Sequence, residues 1–176
     1  RKASEMPAPA LPVCSSGFEA LDRALGIGGF PQGRHSELIG YGTAGQFTVA
    51  ARTLAQAQRH GEQVAYVDID SSLDVDSLVR CGVRLDALVV LRPRNWLHAL
   101  AMTTDLLRAG GVGAVALDRI KDLHLLADGA ACRSLDRALR DWTPILGRSL
   151  CTMLFITEIA SPGFYPQGLP LGFFAS

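Results

Sequence analysis

The sequence carries no excess of charge, no clustered cysteines, no long apolar run and no internal repeat, and each absence narrows the field. Lys and Arg number 17 and Asp and Glu number 17, so no overall field steers the chain toward nucleic acid or an anionic membrane, although a local patch remains open. Cys14, Cys81, Cys132 and Cys151 are scattered without C-x-x-C spacing, and His35, His60, His98 and His124 make no ligand cluster with them. Reduced, structural cysteines in a cytoplasmic protein are expected, and no metal site. No apolar run approaches the roughly 20 residues that cross a bilayer, and no charged n-region leads into an apolar h-region. The expectation is a soluble protein without membrane contact.

What is present suits one compact domain. At 176 residues and 48% hydrophobic content, the chain can fill a core without help from disulfides or metals. Residues 1–12, with Met6-Pro7-Ala8-Pro9-Ala10-Leu11-Pro12, hold too many prolines for a helix and read as a linker or N-terminal extension. Residues 13–176 read as the domain, and both ends look cut from something longer.

Ser15 or Ser16 is placed to cap a helix over Phe18–Leu25, which Gly26, Gly28 and Gly29 end. Strand and helix then alternate. Leu38-Ile39, Val64–Val67, Leu88–Leu91, Ala114–Leu117 and Met153–Ile156 are short, branched apolar runs of the kind buried on both faces. Helical spacing falls over Thr48–His60, Leu73–Arg80, Trp96–Ala109 and Ala130–Leu146. This alternation predicts an α/β three-layer sandwich, a mostly parallel sheet with helices on both faces.

Between the first such strand and its helix lies Gly40-Tyr41-Gly42-Thr43-Ala44-Gly45-Gln46-Phe47. A phosphate loop of the G-x-x-x-x-G-K-[ST] type wraps phosphates in backbone N–H groups, adds a lysine charge and binds Mg²⁺ through a hydroxyl. Gly40 and Gly45 keep the spacing, and Gly42 lies between them. Gln46 stands at the lysine and Phe47 at the hydroxyl, so the turn is retained without its chemistry. Arg34, Arg52 and Lys121 are the cations that could replace the lysine from elsewhere.

Ligands of parallel sheets bind beyond the carboxyl ends of the strands, where acids follow three of the apolar runs. Asp68 and Asp70 follow Val67, Asp118 follows Leu117, and Glu158 follows Ile156-Thr157. Asp118 has the form of a metal-orienting aspartate, Asp70 of a general base and Glu158 of a nucleotide sensor. The ordinary alternative for each is a helix cap or turn residue.

Taken together these segments resemble the RecA family over nearly the whole chain. The resemblance rests on Ser16–Gly26 with Gly28–Arg34 and Glu37, the loop Gly40–Phe47, Tyr66–Asp70 with Leu73-Asp74, Cys81–Leu88, Asp118, Leu154–Ile159 and Leu169–Ser176. It implies a RecA-like fold with Asp70 in place of a catalytic glutamate and Glu158 in place of a sensing glutamine. The segment Ser161–Gly168 is short where that family carries a long DNA-binding loop. With the nucleotide positions Gln46, Phe47, Asp70 and Glu158 all altered, the chain looks most like the ImuA family, the RecA-related subunits of bacterial mutagenesis cassettes. That likeness implies a non-catalytic accessory role in damage-induced translesion synthesis, with ImuB, an error-prone C-family DNA polymerase and RecA as partners and with no cofactor. A nucleotide- and DNA-binding recombinase-like enzyme and a SulA-like inhibitor of cell division are the alternatives.

Arg133, Arg137 and Arg140 recur along the Ala130–Leu146 helix, and Arg92, Arg94, Trp96 and His98 cluster after a strand. Either set can meet DNA phosphates or a protein partner. A solvated helix face balanced by Asp136 and Asp141 is the plainer reading for the first. Ala8, Ala10, Leu11 and Val13 offer a segment for self-association, and Phe164, Tyr165, Phe173 and Phe174 a contact surface.

Overall fold

Residues 11–42, 44–121, 129–159 and 171 are described by the structure, a computed structural model. The branched apolar runs become parallel strands. These are β3 (His35–Tyr41), β4 (Gln63–Asp68), β5 (Leu88–Leu91), β6 (Val112–Lys121) and β7 (Thr152–Ile159), in the order β3-β7-β6-β4-β5 with every neighbouring pair parallel. A separate antiparallel pair, β1 (Val13–Cys14) and β2 (Phe30–Pro31), precedes them. The helices are α1 (Glu19–Ala24), α2 (Gln46–Arg59), α3 (Val75–Arg80), α4 (Trp96–Ala109) and α5 (Gly129–Ser149). The expected α/β fold, a mostly parallel sheet with helices, is the one observed.

Alternation along the strands sorts their side chains into two cores. Val64 and Tyr66, Ala114 and Ala116, and Leu154 and Ile156 face α2 and α3, where Ala50, Ala51, Leu54, Ala55 and Leu78 are buried. Ala65 and Val67, Val115 and Leu117, and Met153 and Phe155 face α4 and α5, against Leu100, Leu107, Leu135, Leu139, Trp142 and Leu146. Small alanines on α2 let that helix lie close across β3, β7, β6 and β4. In the second core Trp142 stacks on Phe155 with centroids 6.4 Å apart, and its indole N–H donates to Thr104 Oγ1 at 2.9 Å.

The entry helix is held differently from the expectation. Phe18, in an extended conformation, occupies the cap position of α1 without a side-chain cap bond. Ser15 and Ser16 instead anchor Asp22: Ser15 Oγ donates to Asp22 Oδ2 at 2.6 Å and Ser16 N donates to Oδ1 at 2.8 Å. A carboxylate six and seven residues along the chain attracts these donors more strongly than the short helix does, because charge-assisted bonds outweigh neutral ones.

Gln58, a polar residue buried inside α2, ties down the turn that leads into β5. Its amide donates to the carbonyls of Arg84 at 2.8 Å and Ala87 at 3.0 Å and accepts from Arg84 N at 2.7 Å. Residues Ser161–Gly168 and the run Leu169–Ser176, apart from the buried Leu171, lie outside the described residues, as does the N-terminal segment before Leu11.

Candidate functional site

At the carboxyl ends of the strands an open cleft of about 390 Å³ is lined by Gly42, Gly45, Gln46, Phe47, Thr48, Ser72, Leu73, Asp74, Ser77, Asp118, Ile156 and Glu158. Strand parity explains the convergence of its acids. Asp118 continues the alternation of Ala114 and Ala116, and Glu158 that of Leu154 and Ile156, so both fall on the α2 side. A bulge in β6 between Asp118 and Ile120 shifts the register against β7 just where Asp118 stands.

The loop has the backbone of a phosphate cradle. Gly42 (φ 55°) and Gly45 (φ 95°) are left-handed, and Gly45 caps a 14-residue helix whose first residues, Gln46, Phe47 and Thr48, line the cleft. Its side chains are another matter. The Gln46 side chain folds back onto Gly40, filling the space that a Cβ there would take. Gln46 is already the first residue of α2, two positions before the helix start expected at Thr48. Phe47 packs edge-on against Tyr66, with ring centroids 6.2 Å apart at 66°. The Tyr66 hydroxyl in turn donates to Asp118 Oδ2, with Tyr66 wholly buried and Asp118 nearly so.

Of the acids expected here, Asp118 and Glu158 line the cleft. Asp70 does not: it sits exposed in the turn after β4, because that strand ends at Asp68 and the chain turns away over the next two residues. The buried acid at this position is Asp68. It accepts from Ser72 N at 2.9 Å, Leu73 N at 3.3 Å and Arg92 Nε at 3.3 Å, and so shapes the segment that forms the far wall. Asp74 caps α3 on the same wall, and hydrogen bonds from Ser77 hold its carboxyl below the usual range.

The candidate cations are placed elsewhere. Arg34 lines a separate groove with Leu11, Leu25, Ile27 and Phe30, and the Arg52 guanidinium sits 5.3 Å over the Phe18 ring. The side chain of Lys121 lies outside the described residues. Asp74, Asp118 and Glu158 are the charged residues among those that line the cleft, so its described charge is negative. A nucleoside triphosphate carries about three to four negative charges, and two like unit charges about 5 Å apart repel by about 3 kcal/mol for an effective dielectric near 20. Magnesium fares no better. Its expected hydroxyl ligand is a phenylalanine ring, and its expected carboxylate already accepts a buried phenol. The residues present do not fit a magnesium–nucleotide complex.

Arg133, Arg137 and Arg140 lie exposed on α5, in the layer opposite α2 and the cleft. Arg140 is paired with Asp136 at 3.0 Å. Trp96, from the second basic cluster, donates its indole N–H to Ala131 O at 3.4 Å, and Arg92 is the partner of Asp68.

Sequence reasoning passed over Tyr66, Ser72 and Ser77. Tyr66 looks like core inside Val64–Val67, and its role appears only when β4 and β6 are set side by side, Tyr66 opposite Ala116 and Asp68 opposite Asp118. The signal available was its hydroxyl, the one polar group in that run.

Parallel strands, a glycine loop leading into a helix, and an acid at the end of β6 define an α/β domain of the phosphate-loop type. The RecA N-terminal domain family matches residues 3–162, and the chain belongs to the RecA family. Its similarity to proteins named RecA extends over most of its length: 36% identity over 160 aligned positions with that of Desulforapulum autotrophicum, covering 85% of this chain and 46% of the relative. The RecA of Clostridium perfringens is 34% identical over 193 positions, covering 99% of this chain and 55% of the relative. That of Nocardioides is 36% identical over 194 positions, covering 100% and 55%. The chain thus spans about half the length of the curated relatives it matches. Among the described residues no helix is long and apolar enough to cross a membrane, and no three His, Cys, Asp or Glu side chains come together as a metal-ligand set.

Proposed function

We propose that this domain is a non-catalytic, ImuA-like accessory protein of damage-induced translesion synthesis. It acts through contacts with ImuB, an error-prone C-family polymerase and RecA, and turns over no ATP. The observation that carries the reading is the Gln46 side chain laid onto Gly40 inside a cleft whose charged lining is acidic. Charge-assisted contacts from a lysine and a metal supply most of the attraction for phosphate, and a neutral amide replaces the first of them. A fold kept with its cradle filled is kept for its surface.

One observation favours the recombinase-like alternative: the left-handed Gly42 and Gly45 still present the backbone of an anion site. Calorimetry separates the two readings. The accessory reading expects no saturable ATP binding with or without Mg²⁺, and micromolar Mg²⁺-dependent binding would defeat it. Capture of ImuB, the polymerase and RecA by the tagged protein, set against capture of the tubulin-like division protein, separates it from a SulA-like division inhibitor.

The exposed arginines of α5 are the surface for partner or weak DNA contact in this scheme. Salt-dependent DNA binding that is lost in Arg137→Glu/Arg140→Glu would assign them to DNA. Retention of partner capture in the same variant would place the protein contact elsewhere.

A further inference from the structure

The cleft contains a tie across three elements: Phe47 on α2 rests against Tyr66 on β4, and Tyr66 bonds Asp118 on β6. We propose that Tyr66 is the specificity-determining residue that closes Asp118 to divalent cations, so that a phenol holds the position a metal would otherwise organise. The proposal rests on the non-catalytic reading of this cleft and names the side chain that enforces it.

Three features support the assignment. Tyr66 has no exposed surface and Asp118 is 6% exposed, so the bond between them is shielded from competing water. Low local dielectric strengthens such a bond. A small divalent cation needs carboxylate oxygen at about 2.0–2.1 Å and near-octahedral space around it. A cation bound at Asp118 Oδ2 would have to displace the buried Tyr66 hydroxyl from that oxygen. Phe47 adds a steric element. Its ring lies edge-on to Tyr66, so the phenol has a packed neighbour on the side facing α2.

The tie also differs in kind from the other strand-end acid. Asp68 takes its hydrogen bonds from the loop backbone and Arg92, whereas Asp118 accepts from the neighbouring strand itself. It therefore joins β4 to β6 at the rim of the cleft without a ligand.

The test is Mn²⁺ titration followed by electron paramagnetic resonance on the wild-type chain, Asp118→Asn, Tyr66→Phe, Tyr66→Phe/Asp118→Asn and Phe47→Ser. Wild type is expected to show no saturable Mn²⁺ site that depends on Asp118. Tyr66→Phe is expected to gain a saturable Mn²⁺ site that wild type lacks, and the double variant to lose that gain. Phe47→Ser supplies a hydroxyl but keeps Tyr66, and is expected to gain no site. Saturable Mn²⁺ binding by wild type that Asp118→Asn removes would overturn the proposal, as would no gain in a folded Tyr66→Phe. If Tyr66→Phe does not fold, Phe47→Ser decides alone: a gained Mn²⁺ site in the presence of Tyr66 refutes the tie, and its absence supports it. Partner capture is read independently, so loss of the accessory reading and loss of this tie produce different results.

Discussion

Asp68 and Asp118 stand opposite each other on adjacent strands, both buried and both at the carboxyl edge, yet they are used in different ways. Asp68 faces two backbone N–H groups and a guanidinium and shapes the wall of the cleft. Asp118 faces a phenol from the neighbouring strand and joins β6 to β4. The difference teaches that two acids at equivalent strand ends can serve as structural acceptors for different partners, one for a loop and one for a neighbouring strand.

Replacing the acids breaks the comparison most directly. Asp68→Ala removes the acceptor of two backbone N–H groups and of Arg92, and should cost about 1.5–3 kcal/mol in urea unfolding, the scale of hydrogen bonds to a charged group. Asp118→Asn should cost about 1 kcal/mol or less, because an amide oxygen accepts from Tyr66 much as a carboxylate does. Equal losses at the two sites would show that the two acids are not used differently.

A third buried polar group, on the opposite face, sharpens the contrast by pH. His35 lies among Trp142 and Phe155 with Nε2 3.3 Å from Thr143 Oγ1, and burial pushes its pKa from 6.5 down to about 4. The folded protein therefore holds it neutral while the unfolded chain takes up a proton. Its contribution is complete above about pH 6.5, falls as the pH drops, and is fully lost near pH 4, where folded His35 itself charges. The shift corresponds to about 3 kcal/mol. His35→Gln should remove that part of the acid dependence of the urea midpoint, while Asp118→Asn leaves it in place.

The smallest effect is expected from repairing the loop. Gln46→Lys/Phe47→Thr restores the two missing groups but leaves Glu158 and the Tyr66–Asp118 bond, so ATP affinity by calorimetry should rise only weakly. Adding Tyr66→Phe to the pair should raise it further. Full Mg²⁺-dependent binding in the double variant alone would show that the acids do not govern the cleft.

Most of the sheet was legible because branched apolar runs have few alternatives once helices flank them. Trp96–Ala109 was legible to the residue, with Asn95 accepting from His98 N at 2.9 Å to fix its start. The site was legible only in part. Gly40, Gly42, Gly45, Asp118 and Glu158 could be placed from strand ends, whereas choosing between Asp68 and Asp70 required knowing where β4 stops. Ser15 and Ser16 were misassigned because their acceptor, Asp22, lies seven and six residues further along the chain. Tyr66 could not be recognised from a strand taken alone, since its partner comes from another strand 52 residues away.

The Gln46 side chain on Gly40 has a kinetic and thermodynamic meaning for any small molecule that approaches the loop. A covalently attached occupant is present at an effective concentration on the order of millimolar or more, and dilution does not lower it. Any incoming phosphate competes with a resident that never diffuses away. On the accessory reading proposed above, the loop behaves as a receptor expressed together with its own antagonist.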